Sequence, residues 1–539
     1  MSGHGKSPGP EENPPKEVLE RAAPRAPVSD PTLGIAVPTH PTGTHPHRLV
    51  TIGDSMTHGF QSFAISNTHI SYPAVVAQEL GWYEQFRRPS YPGFGGLPLN
   101  LEFIARKIEE HFGPHVNPLE LVSAAAHLYK WMDEIEDWWE RGPGAQLPPR
   151  AGILHNLGIY GWDLRDTLVR TAATCAQEIA EEETKDHMVP TRQLVQSHNA
   201  RAALRVLDSA RDAVGRALTP LGAARALGEE AGARDGIETL VVMLGANNAL
   251  GTVVQLSVKW SQDDGFEDLK KKAEYTVWAP SHFRSELALL AAEVRNIRAR
   301  NVLWATVPHV TIAPIAHGVG KKVRKGSRYF QYYTRPWIAP EEFRADHGQD
   351  EFITAEQARH VDAAIDCYND AITETVRAGR NEGRDWYLLE LCGLLDSLAH
   401  KRYIEDQEAQ PEWWQEYKLP PALAALHPRP TTYFYHSGKT GRTAGGLFSL
   451  DGVHPTTIAY GIVAQEVIRV MRLAGVEFRD AEGKPREEPV EVDFKNLVAL
   501  DTLISNPPRS VTSVVKLIGW FDEKFDIVQG VMRSFAVAV

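Results

Sequence analysis

His47-Arg48-Leu49-Val50-Thr51-Ile52 runs directly into Gly53-Asp54-Ser55. A short apolar run stopped by Gly-Asp reads as a buried strand that ends in a tight turn. Residues 72–80 (YPAVVAQEL) then space their apolar side chains as a helix, which Gly81 closes. The same unit recurs down the chain. Residues 152–158 (GILHNLG) lead to Ile159-Tyr160-Gly161. Residues 239–244 (TLVVML) form the plainest buried strand and end in Gly245-Ala246-Asn247-Asn248. Helical sequence is predicted over 188–230, 283–298 and 355–378, and strands over 302–307 (VLWATV) and 386–391 (WYLLEL). The last unit is Asp451-Gly452-Val453-His454-Pro455, followed by a helix over 458–473.

Buried strands alternating with helices predict a mainly parallel sheet with helices on both faces. Sites in such sheets gather at the carboxyl ends of the strands, so the Ser-, Gly- and Asn-bearing turns are expected to converge. The chain has 539 residues, enough for three or four average domains, although one α/β core with large insertions reaches the same length. Three parts are read: a Pro-rich irregular arm over 1–46, a catalytic domain over 47–475, and an extension over 476–539. Segments near 85–150, 314–350 and 402–447 exceed a minimal α/β plan and are read as insertions. The last carries Trp413, Trp414, Tyr417, Tyr433, Phe434 and Tyr435, as expected of loops that shape access to a strand-end site.

A net charge of −12 argues against nucleic acid or an anionic membrane as the main partner. No signal-peptide core and no long uncharged apolar run is visible, so a cytoplasmic protein without a transmembrane segment is expected. Cys175, Cys367 and Cys392 are too few and too scattered for a disulfide framework or a zinc site and are read as buried, reduced thiols. His40, His45 and His47 are separated by Pro and Gly and read as linker. Gly318-Val319-Gly320-Lys321-Lys322 lacks phosphate-loop spacing. In the extension, Val511, Val514, Ile518, Phe521, Phe525, Val528, Met532 and Phe535 follow 3,4 spacing. Packing on the protein's own body is the first reading of that amphipathic helix, and a homo-oligomer contact the second.

The chemistry-bearing residues are weak signals singly. A serine hydroxyl is a poor nucleophile until a base takes its proton. His454 is the candidate base, and Asp451, three residues earlier on a turn, can fix its tautomer. Pro455 biases His454 away from helical geometry. Alone, the same D-x-x-H suits a capping Asp beside a surface His. Ser55 N–H, Gly161 N–H and the Asn247 amide are candidate oxyanion donors, and each could equally serve its own turn. His309, at a strand end, reads as a pocket residue outside the triad.

Together, in chain order, these blocks resemble the SGNH superfamily, whose largest part is the GDSL lipases and esterases. Gly53-Asp54-Ser55 resembles its first block. Asn156-Leu157-Gly158-Ile159-Tyr160-Gly161 resembles the second, Gly245-Ala246-Asn247-Asn248 the third, and Asp451-Gly452-Val453-His454-Pro455 the fifth. Two departures stand out: Asn248 replaces the family's usual Asp, and the stretch from Ser55 to Gly161 is longer than the family needs. The resemblance implies a three-layer α/β/α flavodoxin-like sandwich and a serine hydrolase that cleaves carboxylic esters through an acyl-enzyme. The substrate would be a small-molecule, lipid or acetylated-glycan ester. The catalytic residues would be Ser55, Asp451 and His454, the oxyanion hole Ser55, Gly161 and Asn247, with no cofactor and no metal. The alternatives are an acyltransferase using the same site and a catalytically silent binding protein of this fold.

Overall fold

The computed structural model describes residues 13–512, apart from 22, 39–44, 118, 184–194, 231–234, 346–349, 481 and 488. The amphipathic pattern beyond Thr512 therefore lies outside the described residues. Five strands make the central sheet: β1 (His47–Gly53), β2 (Asn156–Gly158), β3 (Ile237–Met243), β4 (Ala299–Ala305) and β5 (Asp385–Leu389). All neighbours are parallel, in the order β2-β1-β3-β4-β5. The sequence places the strand cores correctly. The second strand is shorter than the apolar run 152–158 suggests, and the two before the last turn start earlier than read.

Alternation along each strand divides two cores. Val50, Leu240, Val242, Val302 and Trp304 face one, while Leu49, Val241, Met243, Leu303 and Ala305 face the other. Side chains of successive strand residues point to opposite faces, so a sheet buried on both sides needs apolar residues at every position. Helices α1 (Ser55–His58), α2 (Tyr72–Glu79), α3 (Asn247–Gln255), α4 (Pro280–Arg295), α5 (Ala355–Asn381) and α6 (Thr457–Leu473) follow in chain order. The apolar sides of α2 and α6 fill the second core, and those of α4 and α5 the first. Helix α5 begins with a reciprocal capping box between Thr354 and Gln357, as its sequence allows.

The extra segments have their own structure. Residues 85–150 contain helices Leu101–Phe112 and Leu121–Glu140. Strands His317–Lys322, Phe330–Thr334 and Phe352–Thr354 pair as an antiparallel sheet, so the Gly/Lys run is strand. The region 402–447 ends in a hairpin of His436–Gly438 with Gly441–Ala444. Val476, Phe478, Val490, Val492 and Phe494 of the extension join the second core.

Part of the N-terminal arm is built into the body. Lys16–Glu20 is a helix whose Val18 is fully buried, and Pro31 O accepts from Leu388 N of the edge strand β5 at 2.9 Å. Arg25 meets both carboxylate oxygens of Glu390 at 3.0 and 2.9 Å. No helix among the described residues is long and apolar enough to cross a membrane.

Candidate active site

Ser55 is the first residue of α1, directly beyond the carboxyl end of β1. Asp54 caps that helix by accepting Met56 N–H at 3.1 Å. Gly53 is required for close packing: a Cβ there would lie 2.0 Å from Thr57 Oγ1 and 2.7 Å from Met243 O. Burial pushes the Asp54 carboxyl up to about 6, against the opposing pull of the Met56 N–H and the field of His454.

The Ser55 hydroxyl lies 2.8 Å from His454 Nε2, and His454 Nδ1 lies 3.1 Å from Asp451 Oδ2. The Asp451 carboxylate is saturated with donors. Its Oδ1 accepts Val453 N and His454 N at 2.8 Å each, and its Oδ2 also accepts Phe63 N at 2.9 Å. Burial works to raise its pKa, yet His454 and these N–H groups hold the carboxyl below its ordinary value. With Asp451 ionised, Nδ1 carries the proton and Nε2 presents a lone pair to Ser55. The three residues are nearly enclosed: Ser55 is 5% exposed, His454 2% and Asp451 7%. Gly452, at φ +68°, makes the turn that brings His454 back over its own Asp451.

Two of the predicted oxyanion donors, Gly161 and Asn247, lie just beyond the carboxyl ends of the two strands that flank β1. Gly53 pairs in register with Gly158 of β2 and with Met243 of β3. The turns carrying Ser55, Gly161 and Asn247 therefore leave the sheet at one level, side by side. Gly161 adopts φ +75°. Asn247 Nδ2 donates to Trp162 O at 2.8 Å, tying the second and third turns together. An amide has two hydrogens, and among the described residues the other has no protein acceptor.

Several positioning residues carried no sequence signal. Asn156 Nδ2 donates to Thr57 O at 2.8 Å while its Oδ1 accepts Gly158 N at 3.0 Å. His58 Nδ1 accepts Tyr160 N, and Asn199 donates to Tyr160 O and accepts from Trp162 Nε1. Thr57 and His58 lie about a hundred positions from Asn156 and Tyr160, and Asn199 lies nearly forty from Tyr160 and Trp162, so no local spacing announces these contacts. Asn248 is fully buried, and among the described residues neither end of its amide has a hydrogen-bond partner.

His309, read from the sequence as a pocket residue outside the triad, is placed in a buried polar cluster. It is buried, its Nδ1 3.1 Å from Asp396 Oδ2 and its Nε2 3.2 Å from Asp366 Oδ1. Burial lowers its pKa, but Cys392 and the surrounding carboxylates outweigh this and hold it well above the ordinary histidine value. His309, Cys392 and Asp396 are the one described group whose donor atoms could converge on a metal. Arg402, close to both Asp362 and Asp396, already supplies cationic charge beside them. The three cysteines are free and buried.

The insertions enclose a cavity of about 420 Å³ whose walls include Phe330, Trp337, Tyr433 and Phe434. Phe434 borders the turn that carries Asp451 and His454: a Cβ on Gly452 would lie 2.8 Å from its ring, and Gly452 O accepts Ile315 N at 3.0 Å. No protein-family model, no curated protein and no solved structure matches the chain.

Proposed function

We propose that this chain is a serine hydrolase of the SGNH/GDSL type that cleaves carboxylic esters through an acyl-enzyme. The observation that carries the reading is the continuous chain from Ser55 Oγ through His454 to Asp451, at 2.8 and 3.1 Å. The strand order β2-β1-β3-β4-β5 supports a flavodoxin-like α/β/α sandwich. The placement of Gly161 and Asn247 just past the ends of the strands that flank β1 supports their role as oxyanion donors.

Ser55 Oγ attacks the ester carbonyl carbon while its proton passes to His454 Nε2. Asp451 orients the ring and stabilises the imidazolium. The C–O π electrons move onto oxygen, where Ser55 N–H, Gly161 N–H and Asn247 Nδ2 hold the anion. Collapse expels the alkoxide, which takes the proton from His454 and leaves an acyl-Ser55 ester. Water then adds to that ester, losing a proton to His454, and the second collapse returns the proton to Ser55 Oγ as the acid leaves.

A fluorophosphonate probe tests the reading. It should label wild type at Ser55 alone and fail to label Ser55→Ala, and p-nitrophenyl ester hydrolysis should vanish with the label. Modification at another residue, or equal rates for the two proteins, overturns it. The enclosure of Ser55 and His454 favours a second reading, acyl transfer to an alcohol in place of water. An added alcohol that diverts the acyl group into a new ester at millimolar acceptor would support that reading.

A further inference from the structure

The cavity between the insertions is unusual in its charge. Among the described residues lining it there is no Asp or Glu, whereas Arg328, Lys401 and Arg402 all reach it. Two of these cations are already matched. Arg402 Nη1 binds Asp362 at 2.9 Å, and Arg328 lies 3.7 Å from the same carboxylate.

Lys401 is not matched. Its ammonium makes no hydrogen bond and no ion pair among the described residues. It stands 5.5 Å from the centre of the Tyr433 ring and within the field of Glu405, whose carboxylate is taken up by the Tyr433 hydroxyl. Removing an ammonium from water without a hydrogen-bonding anion is unfavourable, and burial accordingly holds the Lys401 pKa below its ordinary value. The remaining surface of the cavity is mainly apolar and aromatic, and its volume suits a small organic molecule.

We propose that this cavity is a binding site for a small amphiphile, an apolar chain or ring bearing one carboxylate, with Lys401 as the carboxylate's partner. The apolar part packs against Phe330, Trp337 and Phe434, and the carboxylate completes the ammonium that the protein leaves unpaired. A charge-assisted pair of this kind in a water-poor site discriminates strongly against a neutral isostere. Because Phe434 rests on Gly452, the bound molecule lies one side chain from the turn that carries Asp451 and His454. The site does not depend on any chemistry at Ser55.

The test is calorimetric titration of the full chain with octanoate and with 1-octanol, in wild type, Lys401→Met, Lys401→Arg and Ser55→Ala. Wild type and Ser55→Ala should bind octanoate about tenfold or more tighter than octanol. Lys401→Met should bring the two affinities together while octanol still binds, which also reports that the cavity is intact. Lys401→Arg should keep the preference. Equal binding of octanoate and octanol by wild type overturns the proposal. So does a preference that survives Lys401→Met, or one lost in Ser55→Ala alone, which would place the carboxylate in the catalytic cleft.

Discussion

His58 Nδ1 accepts the backbone N–H of Tyr160 at 3.2 Å, so the helix that begins at Ser55 holds the loop that carries Gly161. The tautomer is set from the other side. Tyr91 gives its hydroxyl hydrogen to Ala202 O at 3.0 Å and receives His58 Nε2–H at 2.8 Å. The helix that begins at Ser55 and the loop that carries Gly161 are thereby fixed to each other by a buried imidazole. His58→Ala should lower kcat by about tenfold to a hundredfold by loosening a donor rather than deleting it. Steady-state kinetics should show the loss mainly in kcat, with fluorophosphonate labelling of Ser55 slowed but not abolished.

The same residue gives a pH signature in stability. Burial pushes the His58 pKa down to about 3, below the unfolded value near 6.5. The unfolded state therefore binds the extra proton, and the contribution of His58 is complete above pH 6.5 and declines as pH falls toward 3. Relative to His58→Gln, wild type should lose on the order of 1.4 kcal/mol per pH unit below 6.5. Urea unfolding of both proteins at pH 7.5, 5.5 and 4.5 measures this, and a constant difference would contradict it.

Catalytic substitutions should separate by role. Ser55→Ala should reduce kcat/KM by about 10⁴-fold to 10⁶-fold. Asp451→Asn should cost about 10⁴-fold by presenting the wrong tautomer, and Asn247→Ala about 10²-fold to 10³-fold as a lost oxyanion donor. Esterase assays on p-nitrophenyl acetate supply the ranking, and Asn247→Ala at the wild-type rate would remove Asn247 from the oxyanion hole.

Gly53 and Gly438 make a matched pair for packing. A methyl at Gly53 meets Thr57 Oγ1 and the Met243 carbonyl, whereas one at Gly438 meets nothing within 4 Å. Gly53→Ala should destabilise by about 1–3 kcal/mol or more, through overpacking beside Ser55. Gly438→Ala should leave the melting temperature within error.

Arg25 reaches from the N-terminal arm to a carboxylate that also accepts Val28 N and Thr306 Oγ1. Both members of the Arg25–Glu390 pair are largely buried, their side chains 7% and 10% exposed. Arg25→Met removes the bidentate cation from the buried Glu390 and should destabilise by about 3 kcal/mol. Denaturant unfolding of the full chain would show it, and an unchanged midpoint would mean that the arm adds nothing to the fold.

The sequence by itself determined the strands, their order of appearance and the residues on the strand-end turns. Strands buried on both faces are mainly apolar, and Gly53 and Gly245 mark the turns after β1 and β3, so 47–55 and 239–248 are legible from local sequence. Ser55, His454 and Asp451 were legible for the same reason: each sits in a short segment whose chemistry and turn residues coincide. Only the tertiary structure decided which turns flank which. The order β2-β1-β3 sets Gly161 and Asn247 on either side of Ser55, and that order depends on crossover connections rather than on local spacing. His58, Asn156 and Asn199 gained their roles through contacts with partners on other elements. The ion-paired setting of His309 was not legible because its carboxylate neighbours come from two helices more than fifty residues away. The arm at 16–35 read as irregular because the partners of its basic and apolar residues, among them Asp366, Asp370, Glu390 and the edge of β5, come together only once the sheet and α5 have formed.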